Sequence, residues 1–281
     1  MKTIGIIGAG TMGSGIAEVA AMAGFDVLLY DAAPAALSGA LERIRENLRR
    51  PTRSGKLSPA SATAALARLH PQKQLKPLGD AEILIEAAVE DLEIKREIFR
   101  RLDAIVSPQA ILATNTSSLS VTAIAASTGS PESVIGMHFF NPPTALPLVE
   151  VVRSSYTSDA TLRRTVDFAI ALGKKPIVCH DTPGFIVNRV ARPFYGEALR
   201  LLGEGVASVE TIDRIARLSG GFRMGPFELM DLIGIDVNYA VTRSVYEQFF
   251  QEPRFRPHPL QREMVESGRL GRKSKQGFYR Y

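Results

Sequence analysis

Short apolar runs alternate with helix-period patterns through the first two thirds of the chain. The runs at 4–7, 27–30, 83–87, 111–114, 134–139, 148–152 and 177–179 have the length and composition of strands. Between the third and fourth, Ile94, Ile98, Leu102 and Ile105 recur at spacings of four, four and three, which predicts a helix laying that face on the sheet. Alternation of this kind is the pattern of an α/β fold with a mainly parallel sheet wrapped by helices. After Cys179 the strand signals stop. Asp181-Thr182-Pro183-Gly184 forms a breaker cluster ahead of helical patterns at about 185–202 and 209–218. The expected organisation is a sheet domain at 1–182 followed by a smaller all-helical domain at 183–281.

The first run ends in Gly8-Ala9-Gly10-Thr11-Met12-Gly13, and Ile16, Val19, Ala20 and Ala23 then follow at helical spacing up to Gly24. A G-x-G-x-x-G sequence between a strand and a helix is the fingerprint of a Rossmann-type dinucleotide site. Gly8 permits the tight turn, Gly10 lets backbone approach a pyrophosphate, and Gly13 allows close helix–strand packing. With Thr11 and Met12 they are the predicted cofactor contacts, at a helix N-terminus whose dipole favours anions. Asp31 closes the second run, 18 residues beyond Gly13. A carboxylate there accepts hydrogen bonds from ribose hydroxyls and repels a 2′-phosphate. Ala32 and Ala33 follow with no arginine, so NAD is favoured over NADP.

Hydride transfer to a nicotinamide leaves the hydroxyl proton unassigned, and a general base with a pKa near the working pH is needed to take it. Of the four histidines, His70 and His258 adjoin prolines in polar surroundings and His180 lies at the domain junction. His138 ends a strand run, in Met137-His138-Phe139-Phe140-Asn141-Pro142. Twelve residues on, Glu150 sits in Leu148-Val149-Glu150-Val151-Val152, where an unpartnered carboxylate would be costly to bury. An Asn141-Pro142-Pro143 turn between them predicts neighbouring strands, with Glu150 fixing the tautomer of His138. The fourth run leads into Asn115-Thr116-Ser117-Ser118-Leu119-Ser120, at strand carboxyl ends where an open sheet binds ligands. Helix capping competes for Ser118 and Ser120.

Charge and cysteine content narrow the class. The net charge of +5 is concentrated at 251–281, which carries 8 basic against 3 acidic residues. A second run holds Arg43, Arg45, Arg49, Arg50, Arg53 and Lys56 against Glu46, on a predicted helix and its exit loop with Pro51 interrupting it. Either run suits a polyanion or a solvated face. One cysteine and four histidines without paired spacing offer no disulfide and no metal site. Met1-Lys2 running into a strand pattern predicts no export signal, and no uncharged stretch has the apolar density of a membrane span. A cytoplasmic protein is expected, without membrane or nucleic-acid partners.

Together, Gly8 to Gly13 with Ser14-Gly15-Ile16-Ala17, then Asn115-Thr116-Ser117-Ser118-Leu119, His138-Phe139-Phe140-Asn141-Pro142, Leu148-Val149-Glu150-Val151 and Asp181-Thr182-Pro183-Gly184-Phe185-Ile186-Val187-Asn188-Arg189 closely resemble the L-3-hydroxyacyl-CoA dehydrogenases. The 3-hydroxybutyryl-CoA branch is nearest. The resemblance continues through Met224-Gly225-Pro226-Phe227-Glu228-Leu229 to Lys275-Gln276-Gly277-Phe278-Tyr279. It implies NAD as cofactor, an acyl-CoA substrate, and a helical domain that binds substrate and makes a homodimer. Residue by residue it implies His138 as base, Glu150 as its orienting partner, and Ser117 and Asn188 as partners of the substrate's 3-oxygen. Asp31 would hold the adenosine ribose, and Glu90, Lys95 and Asn115 the nicotinamide half, with Lys275 a further cofactor contact. Arg50, Arg53 and Lys56, beside Arg49, are the matching candidates for the CoA phosphates.

Three rivals stand beside this expectation. One is a 3-hydroxyadipyl-CoA dehydrogenase of aromatic acid catabolism, and another a CoA-independent NAD-linked hydroxyacid dehydrogenase. The third is a non-catalytic nucleotide-binding protein. The Phe139-Phe140 pair and the Asp181-Thr182-Pro183 lead-in favour the acyl-CoA branch.

Overall fold

The computed structural model describes residues 2–281 and resolves two compact units, Met1–Thr182 and Pro183–Tyr281. In the first unit the strands are β1 (Thr3–Ile7), β2 (Asp26–Tyr30), β3 (Leu69–Gln72), β4 (Ile83–Glu86), β5 (Ile111–Thr114), β6 (Val134–Phe139), β7 (Leu148–Arg153) and β8 (Lys175–His180). They form one sheet in the order β3-β2-β1-β4-β5-β6-β7-β8. All pairings are parallel except β6 with β7, which is antiparallel. The direction of winding reverses between β1 and β4, and the crevice that opens at the carboxyl ends of such strands is where doubly wound sheets bind nucleotides.

The helices of this unit are α1 (Thr11–Met22), α2 (Pro34–Arg53), α3 (Pro59–Ala67), α4 (Leu92–Asp103), α5 (Val121–Ala125) and α6 (Asp159–Ala171). Ile4, Ile6, Val27, Leu29, Ile83 and Ile85 point to one sheet face and pack with Ile16 and Ala20 of α1, Ile44 of α2 and Phe168 of α6. The alternate positions Leu84 and Leu112 are equally buried, as are Phe99 of α4 and Ile124 of α5. Burial on both faces is why these strands read as continuous apolar runs.

Three sequence expectations change. β3 was absent from the predicted strands because His70 and Pro71 interrupt its apolar pattern; it is the edge strand beside β2, where a proline is tolerated. The buried face of α4 is Lys95, Phe99 and Leu102, while Ile94 is 45% exposed. The helix is rotated by one residue because a buried carboxylate draws Lys95 inward. Pro51 does not interrupt α2, which runs through it to Arg53.

The second unit holds α7 (Val187–Gly203), α8 (Val209–Leu218), α9 (Pro226–Ile233), α10 (Ile235–Gln248) and α11 (Pro259–Glu266). The first of these begins two residues later than expected, since Phe185 is left-handed at φ 47°. Its core is Tyr195, Leu199, Phe227, Met230, Ile235 and Met264. Two buried aspartates tie it together. Asp213 accepts the Phe227 and Glu228 N–H groups that open α9, together with the Tyr279 hydroxyl. Asp231 accepts the backbone N–H groups of Phe278 and Tyr279. Isolated bridges join Gly271 to Gln276 and Gln276 to Arg280, so the unit is helical apart from this closing turn. Among the described residues no helix is long and apolar enough to cross a membrane.

Candidate active site

The glycine loop closes β1 onto α1 as the residue types require. Gly8 has φ +99°, and a Cβ on Gly13 would stand 1.8 Å from the Gly8 carbonyl oxygen. A Cβ on Gly10 would meet no protein atom within 4 Å, which marks the side of the loop open to a ligand. Thr11 begins α1 with Met12 behind it, half-buried. Asp31 stands beside the loop: one carboxylate oxygen accepts the Ala9 N–H at 2.7 Å and the other the Ala33 N–H at 2.8 Å. Each oxygen retains lone-pair capacity for a hydroxyl. These residues fit a dinucleotide's adenosine and diphosphate.

Across the crevice the ends of β4 and β5 carry a charged network that includes residues the sequence reading passed over. Glu86, fully buried, accepts the Lys95 ammonium and the Ala88 N–H, each at 2.6 Å, and the Thr114 hydroxyl at 2.7 Å. Lys95 is 1% exposed and reaches Glu90 at 3.5 Å. Lys95 therefore lies beneath the crevice, where the resemblance had placed it among the cofactor contacts. Glu90 in turn accepts the Thr116 hydroxyl at 2.6 Å and the N–H groups of Ser117 and Ser118 at 2.9 and 3.2 Å. Burial alone would raise the Glu90 carboxyl, but the Lys95 ammonium and these hydrogen bonds outweigh it and hold the group below its ordinary value. The Ser117 hydroxyl lies 3.3 Å from the same oxygen. Asn115 spends its side-chain oxygen on the Phe139 N–H at 2.9 Å.

His138 and Glu150 are direct cross-strand partners in the antiparallel β6–β7 ladder. His138 Nδ1 lies 2.7 Å from Glu150 Oε2, with side-chain exposures of 8% and 1%. The Phe140 ring packs 4.5 Å from the imidazole. The turn between the two strands is held by Lys174, whose ammonium donates to the Pro143 and Leu146 carbonyls, and burial lowers its pKa. Asp181, at the end of β8, accepts the Ser120 hydroxyl at 2.9 Å and the Thr122 N–H at 2.7 Å. It thus helps Ser120 cap α5 and fixes the far side of the Ser117 segment.

Other expected site residues fall elsewhere. Arg50 and Lys56 line a cavity of about 840 Å³ with Glu18, Asn47 and Lys174, while Arg53 is outside it. Asn188 lies in the first turn of α7, and its backbone carbonyl accepts from Arg192 Nε at 3.0 Å. Lys275 is exposed and left-handed at φ 59°. Among the described residues there is no cluster of three or more His, Cys, Asp or Glu able to hold a metal.

Residues 3–182 match the family described as 3-hydroxyacyl-CoA dehydrogenase, NAD binding domain, and residues 184–281 match its C-terminal domain. A 3-hydroxyadipyl-CoA dehydrogenase of Escherichia coli (strain K12) is 50% identical over 99% of the chain, which spans 59% of that protein's length. A probable 3-hydroxybutyryl-CoA dehydrogenase of Deinococcus radiodurans is 44% identical, with 99% of each chain covered. The crystal structure of (S)-3-hydroxybutyryl-CoA dehydrogenase from Ralstonia eutropha superposes with a TM-score of 0.96 at 42% identity, covering 100% of this chain and 99% of that one.

The Glu86–Lys95 pair generates a stability prediction. Glu86→Ala leaves a buried ammonium without its nearest carboxylate and is expected to cost about 3–5 kcal/mol in urea unfolding. A cost below about 1 kcal/mol would show that the pair does not hold the ends of β4 and β5 together.

Proposed function

The chain belongs to the 3-hydroxyacyl-CoA dehydrogenase family, with an NAD-binding domain at residues 3–182, and from that premise we infer that it interconverts (S)-3-hydroxyacyl-CoA and 3-ketoacyl-CoA, with short acyl chains such as 3-hydroxybutyryl as substrates. The observation that carries the reading is the 2.7 Å contact between His138 Nδ1 and a Glu150 carboxylate that is 99% shielded from water. A buried carboxylate next to Nδ1 favours the proton on that nitrogen and leaves the Nε2 lone pair for the substrate hydroxyl.

Gly8, Gly10, Thr11, Met12 and Gly13 hold the cofactor's diphosphate and Asp31 its ribose; when bound, the nicotinamide supplies the hydride acceptor or donor. In oxidation His138 Nε2 takes the 3-hydroxyl proton, and the imidazolium is stabilised by Glu150. In reduction the same imidazolium returns that proton to the 3-oxygen. Ser117 and Asn188 are the further partners of that oxygen, where charge changes most and preorganised donors lower the barrier. Glu90 and Asn115 face the nicotinamide half, and Lys95 serves it by holding Glu90. The role of Lys275 as a cofactor contact rests on the family motif.

The CoA nucleotide is assigned to the 840 Å³ cavity because it brings Arg50, Lys56 and Lys174 together with Thr144 of the turn between β6 and β7. Arg53 contributes at longer range from the end of α2. A second substrate reading, 3-hydroxyadipyl-CoA, is favoured by the 50% identity to the Escherichia coli enzyme of that name. The protein is further read as a cytoplasmic homodimer without nucleic-acid or membrane partners. Val190, Ile215, Leu218, Phe222 and Val237 of the helical unit are each more than 40% exposed, apolar area available to a second copy.

Assay of acetoacetyl-CoA and longer or carboxylated 3-ketoacyl-CoAs with NADH tests the reaction and ranks the substrates. His138→Gln is expected to keep NADH binding while kcat falls about 10²- to 10⁴-fold, and near-normal turnover would remove His138 from the proton's path. Charge removal by the double change Arg50→Ala and Lys56→Ala is expected to raise the acyl-CoA KM about three- to tenfold at unchanged NADH affinity. An unchanged KM would return these residues to a solvated face. Sedimentation is expected to give a species of about twice the 30.5 kDa chain mass, against one copy if the apolar helices are not an interface.

A further inference from the structure

The basic run on α2 begins with Arg43, which the function above does not use. Arg43, although exposed, does not pair along its own helix as Arg45 and Arg49 do with Glu42 and Glu46 one turn back. Its side chain runs toward the helix N-terminus, as helical side chains do, and passes over Gly39, where a Cβ would lie 3.3 Å from Nη1. The guanidinium ends on the glycine loop: Nη2 donates to the Ala9 carbonyl at 2.6 Å, and Nε reaches the Ser14 hydroxyl at 3.4 Å.

We propose that Arg43 is a cofactor-affinity residue that locks the phosphate-binding turn and adds a positive charge to it. Ala9 is gripped at both ends, since Asp31 accepts its N–H at 2.7 Å while Arg43 donates to its carbonyl. That carbonyl belongs to the Ala9–Gly10 peptide. A cation on its oxygen polarises the N–H of Gly10, the residue at which a Cβ would meet only open space. Ser14, the second residue touched, lies in the first turn of α1, and its N–H is already spent on the Gly10 carbonyl at 2.9 Å. Arg43 thus braces the loop and the start of the helix as one piece. Its charge adds to the positive end of the α1 dipole, where the cofactor's diphosphate belongs. Asp31 alone would leave the turn with a net negative neighbour; Arg43 balances it. Lysine cannot reproduce the arrangement, because the Nε and Nη2 contacts need the planar fork.

The inference rests on NAD binding by this family and is tested on the full chain by NADH fluorescence titration at low and high salt. Arg43→Met is expected to raise the NADH Kd about three- to tenfold at low salt. The gap should narrow at high salt, where the charge is screened, while the acetoacetyl-CoA KM at saturating NADH shifts less than about twofold. Arg43→Lys, a variant that preserves charge, is expected to keep the wild-type salt dependence and recover part of the affinity. The proposal is overturned by an unchanged Kd in Arg43→Met, or by a loss of affinity equal at both salt levels, which would make Arg43 a brace without an electrostatic part. Failure of the wild type itself to bind NADH would instead remove the cofactor reading.

Discussion

The structure turns on a carboxylate that has no water to face. Glu150 is 1% exposed in the middle of β7, and its charge is tolerable there because the His138 imidazole meets it at 2.7 Å. The antiparallel register of β6 and β7 sets the two side chains opposite one another, on the same sheet face, without any loop having to place them. A one-residue slip would put the two on opposite faces, so the geometry of the pair and the sheet register are specified by the same hydrogen bonds. Lys174 clamps the turn that joins the strands, through the carbonyls of Pro143 and Leu146.

The remainder of the crevice is built on the same rule, with charges buried only in company. Glu86 gathers Lys95, Thr114 and the Ala88 N–H, joining the ends of β4 and β5 to α4. Lys95 passes that order to Glu90, and Glu90 passes it to the backbone of Ser117 and Ser118. The segment expected to meet the substrate oxygen is therefore held by Glu90, and through Lys95 by the buried Glu86. Asp31 plays the matching part at the glycine loop, where it accepts the Ala9 N–H as well as that of Ala33.

Much of this was legible in the residues. The glycine loop, Asp31, His138, Glu150 and the boundary near Pro183 all follow from spacing and from the cost of burying a charge. What escaped the sequence has physical reasons. Glu86 sits in an apolar strand run, and only its three partners, from α4, β5 and the loop after β4, reveal that it is a hub. Lys95 enters the sequence reading only as a cofactor contact implied by the resemblance, on a helix whose inner face is set by Ile94; the structure has Ile94 outside and Lys95 buried. β3 carries a proline and a histidine and lacks the apolar alternation that marks a strand. In sequence Asp181 reads as part of a breaker cluster, yet its carboxylate reaches 59 residues back to the N-terminus of α5. The one available signal for Arg43 was Gly39, one helical turn earlier, which clears the path for its side chain.

The tautomer of His138 is the property on which the proposed proton transfer stands, and nitrogen NMR of the imidazole measures it directly. With Glu150 accepting from Nδ1, the neutral ring is expected to show a protonated Nδ1 and an unprotonated Nε2. A ring protonated at Nε2, or one whose two nitrogens average as in free imidazole, would contradict the account.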